Sequence, residues 1–321
     1  MIFAYFHRLG NAIHREIEVS PEVIAEVYNR GKARREERIV KVPEIEQMLA
    51  AERPPKLFMN QYLLLRDALQ PDHTAIVMYV EHGTVTLAPD FGKDLLGTVR
   101  SRNLEQRFAV SMLLDDRIKF GVIIGKAGTG KTLLTLAAAI QKINASDSTF
   151  TEVIGVRPTV TLERDKGHET LPGNKEEKES PFMTPFFDAL GYIFNEGKSK
   201  GRKNERPWQE MMQKGTLSFD TVTYYRGRSI HNAYIIIDDA QNLTRWQVDS
   251  IITRAADDSK IVLLGDPSQI DDRFLTAETC GITYAAKILL GDQAAGVVHL
   301  RKPERNPAIA RIVERIKQYR G

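Results

Sequence analysis

The chain of 321 residues has one cysteine, Cys280, which leaves no intrachain disulfide and no cysteine cage for zinc or an iron–sulfur cluster. So little cysteine is expected of a protein in a reducing cytoplasm. Long uncharged hydrophobic runs are missing too. The apolar start, Met1 to Phe6, is cut short by His7 and Arg8, which does not make a signal peptide. Nowhere does an uncharged stretch reach the length a bilayer requires, so no membrane partner is expected. Neither charge sign dominates. With 45 Lys and Arg against 42 Asp and Glu, the net charge of +3 does not argue for nucleic acid by itself, and local clusters must carry that case. The sequence has no internal repeat. What remains, 42% hydrophobic and 27% charged, is ordinary for a globular protein with one main domain and something smaller.

What is present is concentrated in eight residues. Gly125, Lys126, Ala127, Gly128, Thr129, Gly130, Lys131 and Thr132 fit the phosphate-loop pattern G-x-x-x-x-G-K-[ST] without a gap. The apolar run Phe120 to Ile124 reads as a buried strand, and the Leu- and Ala-rich run Leu133 to Ile140 as a helix. A glycine-rich turn between them aims backbone N–H groups at a phosphate, at the positive end of the helix dipole. The predicted nucleotide contacts run from Gly125 to Leu133, with Lys131 on the β- and γ-phosphates and Thr132 on Mg²⁺. ATP and Mg²⁺ are the expected ligands.

A phosphate loop needs an acidic partner for its metal. Tyr234 to Ile237 is an apolar strand ending in Asp238 and Asp239, a Walker B pattern. Asp238 is expected to hold Mg²⁺, and Asp239 to orient and deprotonate the attacking water. Ile261 to Leu264 is a second such strand, ending in Gly265-Asp266-Pro267-Ser268-Gln269. The amide of Gln269 can donate to a γ-phosphate and accept from a water, which suits a sensor of hydrolysis. Upstream, Arg102-Asn103-Leu104-Glu105-Gln106 opens a helix. Asn103 and Gln106 read either as contacts to the adenine edge or as a plain helix start capped by Asn103.

The chain divides into three stretches. Residues 1–52 read as a helical and linker region, with a helix opened by Ser20-Pro21 and closed by Gly31, and a charge run at 32–38 that is either a solvated linker or a nucleic-acid contact. Residues 53–97 read as a small β-rich unit, with strands at 61–65, 74–80 and 84–87 and a turn at His82-Gly83. Residues 98–321 alternate strands and helices, which predicts a doubly wound α/β domain with a mostly parallel sheet around the phosphate loop. Asn306-Pro307 opens a last helix. The loop 197–206 is basic, and Tyr224 and Tyr225 beside Arg226 either stack on bases or fill a strand face.

Taken together, the runs R-N-x-E-Q, G-K-A-G-T-G-K-T, R-P-T-V (157–160), L-P-G-N-K-E-E-K (171–178), Y-x-R-G-R-S-I (224–230), I-I-I-D-D-A-Q-N (235–242) and G-D-P-x-Q-I-D (265–271) resemble the PhoH family of ATPases. The likeness is dense from residue 101 to about 300. A weaker likeness, through E-I-E-V-S and N-Q-Y-L-L-L-R-D, reaches back to about residue 18 and is similar to the connecting region of longer PhoH proteins that carry a PIN nuclease domain. This chain begins roughly where that nuclease would have ended, and no nuclease activity is expected of it. The family resembles the first motor domain of superfamily 1 helicases, which implies a RecA-like P-loop NTPase fold for this stretch. The resemblance implies single-stranded RNA or DNA as substrate, and a homo-oligomer, a hexameric ring favoured, in which a neighbour supplies an arginine finger. Arg226, Arg228, Arg301 and Arg305 are the candidates for it, and Arg157 for the same edge or a nucleic-acid phosphate.

Three departures qualify the resemblance. Asp239 stands where the family usually has glutamate, one methylene longer, so the expectation is tight ATP binding with slow hydrolysis. Pro303-Glu304-Arg305-Asn306-Pro307 replaces the family's G-E-R-S, and His168 to Thr170 stand where an aromatic residue usually precedes Leu-Pro-Gly. The Asp239 departure and the missing PIN domain keep a second reading open, an ATP-binding switch or scaffold that recruits a nuclease or another partner. A small-molecule kinase shares the fold core, but the D-x-A-Q and G-D-x-x-Q pair argues against it.

Overall fold

Two sheets organise the chain, one preceding the phosphate loop and one built around it. A computed structural model describes residues 14–32, 38–89, 94–158, 183–194, 207–222, 230–256 and 258–304. The first sheet has strands β1 (His14–Val19), β2 (Ile39–Lys41), β3 (Tyr62–Asp67), β4 (Thr74–Tyr79) and β5 (Thr84–Leu87), in the order β1-β3-β4-β5-β2. β1 runs parallel to β3 and the other pairs are antiparallel. His82 and Gly83 take φ of 44° and 77°, the left-handed pair that a tight hairpin turn between β4 and β5 demands.

Helices α1 (Pro21–Gly31) and α2 (Pro43–Leu49) each start on a proline at N1 or N2, where the missing N–H costs nothing. They bury Val23, Ile24, Val27 and Ile45 against Leu63, Leu65, Val77 and Val85 of the sheet. The alternate residues, Tyr62 and Met78, point the other way into the main core, where Tyr62 stacks on Phe108 at 5.2 Å between ring centroids. The division at residue 52 therefore falls inside one sheet: the stretch read as helix and linker also supplies β1 and β2. β1 carries exposed Glu16 and Glu18 between buried Ile17 and Val19, and β2 is only three residues long. Both were too polar or too short to read as strands.

The second sheet holds β6 (Phe120–Gly125), β7 (Glu152–Arg157), β8 (Leu217–Thr221), β9 (Ala233–Ile237), β10 (Lys260–Gly265) and β11 (Ala295–Leu300), in the order β11-β6-β10-β9-β7-β8. Every pairing in it is parallel. It is an α/β sheet of the RecA-like P-loop class, with one strand, β10, between the phosphate-loop strand and the acidic strand. Its central strands are apolar on both faces, as a covered parallel sheet requires. Along β10, Val262 and Leu264 face a core shared with helices α3 (Leu104–Leu114), α4 (Lys131–Ile143) and α5 (Thr184–Ile193). Ile261 and Leu263 face the opposite core, with α7 (Arg245–Ile252) and α8 (Gly281–Leu289); α6 (Pro207–Gln213) adds Trp208 to the first.

The two sheets are pinned together by Asn60, whose Nδ2 lies within hydrogen-bond distance of the carbonyls of Asp292 and Gln293, just before β11, and of Ala295, its first residue. Lys260, at the start of β10, is buried and donates to the carbonyls of Met112, Leu113 and Asp115 at the end of α3. Among the described residues, no helix is long and apolar enough to cross a membrane. The basic loop 197–206, Leu171 to Lys178, Tyr224, Tyr225, Arg226, Arg228, Arg305 and the helix expected after Asn306 lie outside the described residues.

Candidate nucleotide and metal site

β6 delivers the chain to the carboxyl edge of the parallel sheet, the place where such sheets bind ligands. Gly125 ends the strand in a space that admits no side chain: a Cβ there would lie 2.7 Å from the Leu300 carbonyl and 2.8 Å from Thr129 Oγ1. Gly130, the N-cap of α4, has φ of 89°, which β-carbon-bearing residues resist. The loop is thus wound so that α4 starts at Lys131 with its first N–H groups unpaired along the helix. Lys131 Nζ lies back over the loop, donating to the carbonyls of Gly125 at 2.6 Å and Lys126 at 3.2 Å. Thr129 closes the turn by donating from Oγ1 to the Lys126 carbonyl at 2.8 Å.

Two strands away, β9 ends at Ile237 and Asp238 follows it. Thr132 Oγ1 donates to Asp238 Oδ2 at 3.2 Å, so the helix start and the acidic strand end meet. This pair suits Mg²⁺: a hydroxyl and a carboxylate are hard oxygen donors, and two protein ligands leave positions for phosphate oxygens and water. Among the described residues no group of three or more His, Cys, Asp or Glu could cage a metal, so any metal here would share its shell with the nucleotide. Asp238 is 4% exposed. Burial raises its pKa, against the opposing pull of Arg157, Lys131 and the Thr132 hydroxyl.

Asp239 turns out of the strand with φ of 52°, a conformation that aspartate tolerates better than most residues. Its Oδ1 accepts from Gln241 Nε2 at 3.2 Å and its Oδ2 is ion-paired with Arg157 NH2. Arg157 Nε also lies 3.9 Å from Asp238 Oδ2. Arg157, expected at the nucleotide edge or on a nucleic-acid phosphate, lies at that edge, against the two carboxylates.

The acidic loop is bolted to the loop after β10. Gln241 Oε1 accepts from the backbone N–H of Asp266 at 3.0 Å. Asn242 and Asp271 exchange two bonds: Asn242 Nδ2 donates to Asp271 Oδ2 at 2.9 Å, and the Asp271 N–H donates to Asn242 Oδ1 at 2.8 Å. Gln269 is exposed, and its Nε2 donates to Asp266 Oδ2 at 2.9 Å. Its carbonyl oxygen is thereby oriented while its amide hydrogens are partly committed. Sequence reasoning singled out Gln269 but assigned nothing to Gln241, Asn242, Asp266 or Asp271. Their signal was present, as neutral amides and acids inside two strand-end motifs.

The R-N-L-E-Q run forms a clasp. Asn103 Oδ1 caps α3 by accepting the Gln106 N–H at 2.9 Å, and its Nδ2 donates to Glu304 Oε1 at 2.6 Å. Gln106 Oε1 accepts the Arg102 N–H at 2.7 Å while Nε2 donates to the Thr129 carbonyl at 3.0 Å. Asn103 thus caps the helix, and the Gln106 amide grips the phosphate loop. Glu105 accepts from Arg301 Nε at 2.7 Å and from the Arg301 N–H at 2.6 Å. Burial of Glu105 raises its pKa, but the Arg301 side chain and the backbone N–H groups of Arg301 and Lys302 outweigh it and leave the carboxyl below its usual value. The Glu304 N–H reaches the Gly128 carbonyl at 3.0 Å. The segment after β11 thus lies along the phosphate loop, and Arg301 is held within its own chain.

Residues 98–317 match the family model described as PhoH-like protein. Protein PhoH2 of Bacillus subtilis (strain 168) is 34% identical over 294 residues, covering 91% of this chain and 61% of that protein. A PhoH-like protein of the same organism is 30% identical over 68% of this chain and 63% of its own length. Protein PhoH2 of Mycolicibacterium smegmatis is 30% identical over 68% of this chain and 48% of that protein. The chain therefore spans about half to three fifths of the length of these relatives. Among solved structures, the Pif1 helicase from Candida albicans aligns at 14% identity over 67% of this chain and 43% of that one, with a TM-score of 0.34.

Proposed function

The chain belongs to the PhoH-like family, and from that premise we propose that it binds ATP with Mg²⁺ and hydrolyses it to drive movement on single-stranded RNA or DNA. The observation that carries this reading is the meeting of Thr132 and Asp238 beside Lys131 at the mouth of a phosphate loop. The N–H groups at the start of α4 would bind the β- and γ-phosphates, with Lys131 swinging from the Gly125 carbonyl onto them. When bound, Mg²⁺ would neutralise the developing charge on the phosphoryl group. Asp239 would orient the attacking water and take its proton. The Gln241 and Asn242 bolts would carry the state of the acidic loop to Gln269.

Nucleic acid as the substrate draws support from side chains around these loops. Trp246, at the start of α7, is 84% exposed and Phe274 is 80% exposed, offering ring faces on which bases can stack. Arg273 lies over the Phe274 ring at 4.9 Å. Helicases complete such a site with an arginine from a second domain, and for this domain we assign that part to a neighbouring copy in an oligomer, a ring of six favoured. Arg226, Arg228 and Arg305 are the proposed sources.

Steady-state ATP hydrolysis by the purified chain, with and without single-stranded RNA, tests the reading. Turnover that rises with RNA and vanishes in Lys131→Ala is the expected result. Turnover no higher than in Lys131→Ala, with ATP still bound, would replace the motor with the switch reading. A specific observation favours that second reading: both oxygens of Asp239 are already engaged, by Gln241 and Arg157. The same assay on Asp239→Glu should show turnover raised about tenfold, because the longer side chain carries its oxygens about 1 Å closer to the water. Unchanged or lower turnover in that variant would show that the aspartate is not what limits the rate.

A further inference from the structure

We propose that Arg157 is a built-in cation that holds the acid pair closed and that magnesium nucleotide must displace. The inference rests on the reading above, in which Thr132 and Asp238 hold the metal of a bound nucleotide. Arg157 is the last residue of β7, and the register of β7 against β9 pairs Val156 with Ile237. The Asp238 N–H donates to the Val156 carbonyl at 2.9 Å, which fixes Arg157 beside the two acids. Its side chain is 18% exposed, so it is not a surface arginine that has fallen onto a nearby carboxylate. Its NH2 is paired with Asp239 Oδ2 and its Nε lies 3.9 Å from Asp238 Oδ2. Asp238 Oδ2 is the same oxygen that takes the Thr132 hydroxyl at 3.2 Å. A guanidinium therefore stands at the oxygen where the metal must arrive.

Asp238, which is buried, and its half-buried neighbour Asp239 repel one another unless a cation sits between them. Arg157 supplies that cation when no metal is there. A divalent ion on Asp238 Oδ2 and a guanidinium within 4 Å of that oxygen are like charges in a low-dielectric corner, and they exclude one another. Binding of the metal must push Arg157 away from Asp238. The same movement loosens its hold on Asp239 and frees the Oδ2 of Asp239 to accept from water. Arg157 is in this sense a positioning residue: it touches neither substrate nor metal, and it sets how much magnesium the site requires.

The test is a magnesium titration of the full chain at a fixed concentration of a fluorescent ATP analogue, read as the magnesium concentration giving half-maximal analogue binding. Arg157→Gln should lower that concentration about tenfold, the least expected when one member of a close charge pair is removed. Arg157→Lys, which keeps a more mobile charge, should lower it by about threefold. Arg30→Gln removes the same charge from an exposed pair with Glu26 on α1 and should change nothing. An unchanged or raised magnesium requirement in Arg157→Gln, beside a wild type that binds the analogue in a magnesium-dependent way, overturns the proposal. So does an equal shift in Arg30→Gln, which would make the effect one of net charge. If Arg157→Gln does not unfold cooperatively, Arg157→Lys decides in its place, and no shift in it overturns the proposal. A wild type that ignores magnesium, or does not bind the analogue, overturns the underlying nucleotide reading, and the role proposed for Arg157 with it.

Discussion

Asp238→Asn should lose ATP turnover by about a thousandfold while unfolding at the same temperature as the wild type or a higher one. The two halves have one cause. Asp238 is a buried carboxylate whose pKa is raised by its burial, so keeping it ionised at neutral pH costs folding energy. Asparagine is nearly isosteric, still offers an oxygen to the Thr132 hydroxyl, and carries no charge to desolvate. What it cannot do is hold Mg²⁺, and several kcal/mol of transition-state stabilisation go with the metal. The sign of the pH effect follows. With the folded pKa above the ordinary carboxylate value, acidification protonates Asp238 early in the metal-free protein, so magnesium should lose its site at a higher pH than at a solvated aspartate, and turnover at limiting magnesium should fall with it. Thermal unfolding and steady-state hydrolysis on one preparation check both halves. A variant that is inactive and also clearly less stable would mean that Asp238 supports the fold rather than the metal.

The phosphate loop and the acidic strand end were legible in the sequence; the burial and the bonds around them were not. A phosphate loop is one contiguous run, and its glycines are dictated locally by the turn they make, so Gly125 to Thr132 could be read directly. Asp238 could be read because an apolar strand ending in acid is also local. The bonds that join such runs are not local. Gln241 and Asp266 are 25 positions apart, and Asn242 and Asp271 are 29 apart; they meet only because β9 and β10 are neighbours. Arg157 reaches the acids because β7 lies on the other side of β9, an adjacency that the chain order does not disclose. β1 was hidden for another reason. Its outward glutamates mask a two-residue alternation that only six residues support. Glu105 and Arg301 are separated by nearly the whole of the second sheet, so the clasp they form could not be anticipated from either run alone.

Lys260 is the extreme case, because a lysine at the start of a strand reads as a solvated end and here is buried. Wild-type stability should rise by about 3 kcal/mol between pH 7 and pH 9.5, and Lys260→Met should abolish the rise. Burial pushes the Lys260 pKa down to about 7; Asp115 and Asp116 pull it up, and Lys142 and Lys119 push it further down. In the unfolded chain the same amine titrates near its ordinary value, about 10.4. Between the two values the unfolded chain holds a proton that the folded chain has released, so raising the pH favours the fold. Below pH 7 both states are charged and the contribution is flat. The amine remains useful after it loses its charge. Its N–H groups still serve the end of α3, where Leu113 also has the Tyr234 hydroxyl at 3.1 Å and Asp115 also has the Ile118 N–H at 3.2 Å. Methionine removes the charge and these donors together, which leaves the Met112 carbonyl without the Lys260 bond at every pH and the profile level. The window must close before pH 10, because burial holds the Tyr62 and Tyr234 hydroxyls neutral well above their usual pKa, and their ionisation in the unfolded chain turns stability downward again. Denaturant unfolding at pH 6.5, 7.5, 8.5 and 9.5 measures the slope. A level wild-type profile would mean that the three carbonyls at the helix end hold the ammonium charged throughout, and that α3 is closed by a permanent buried cation.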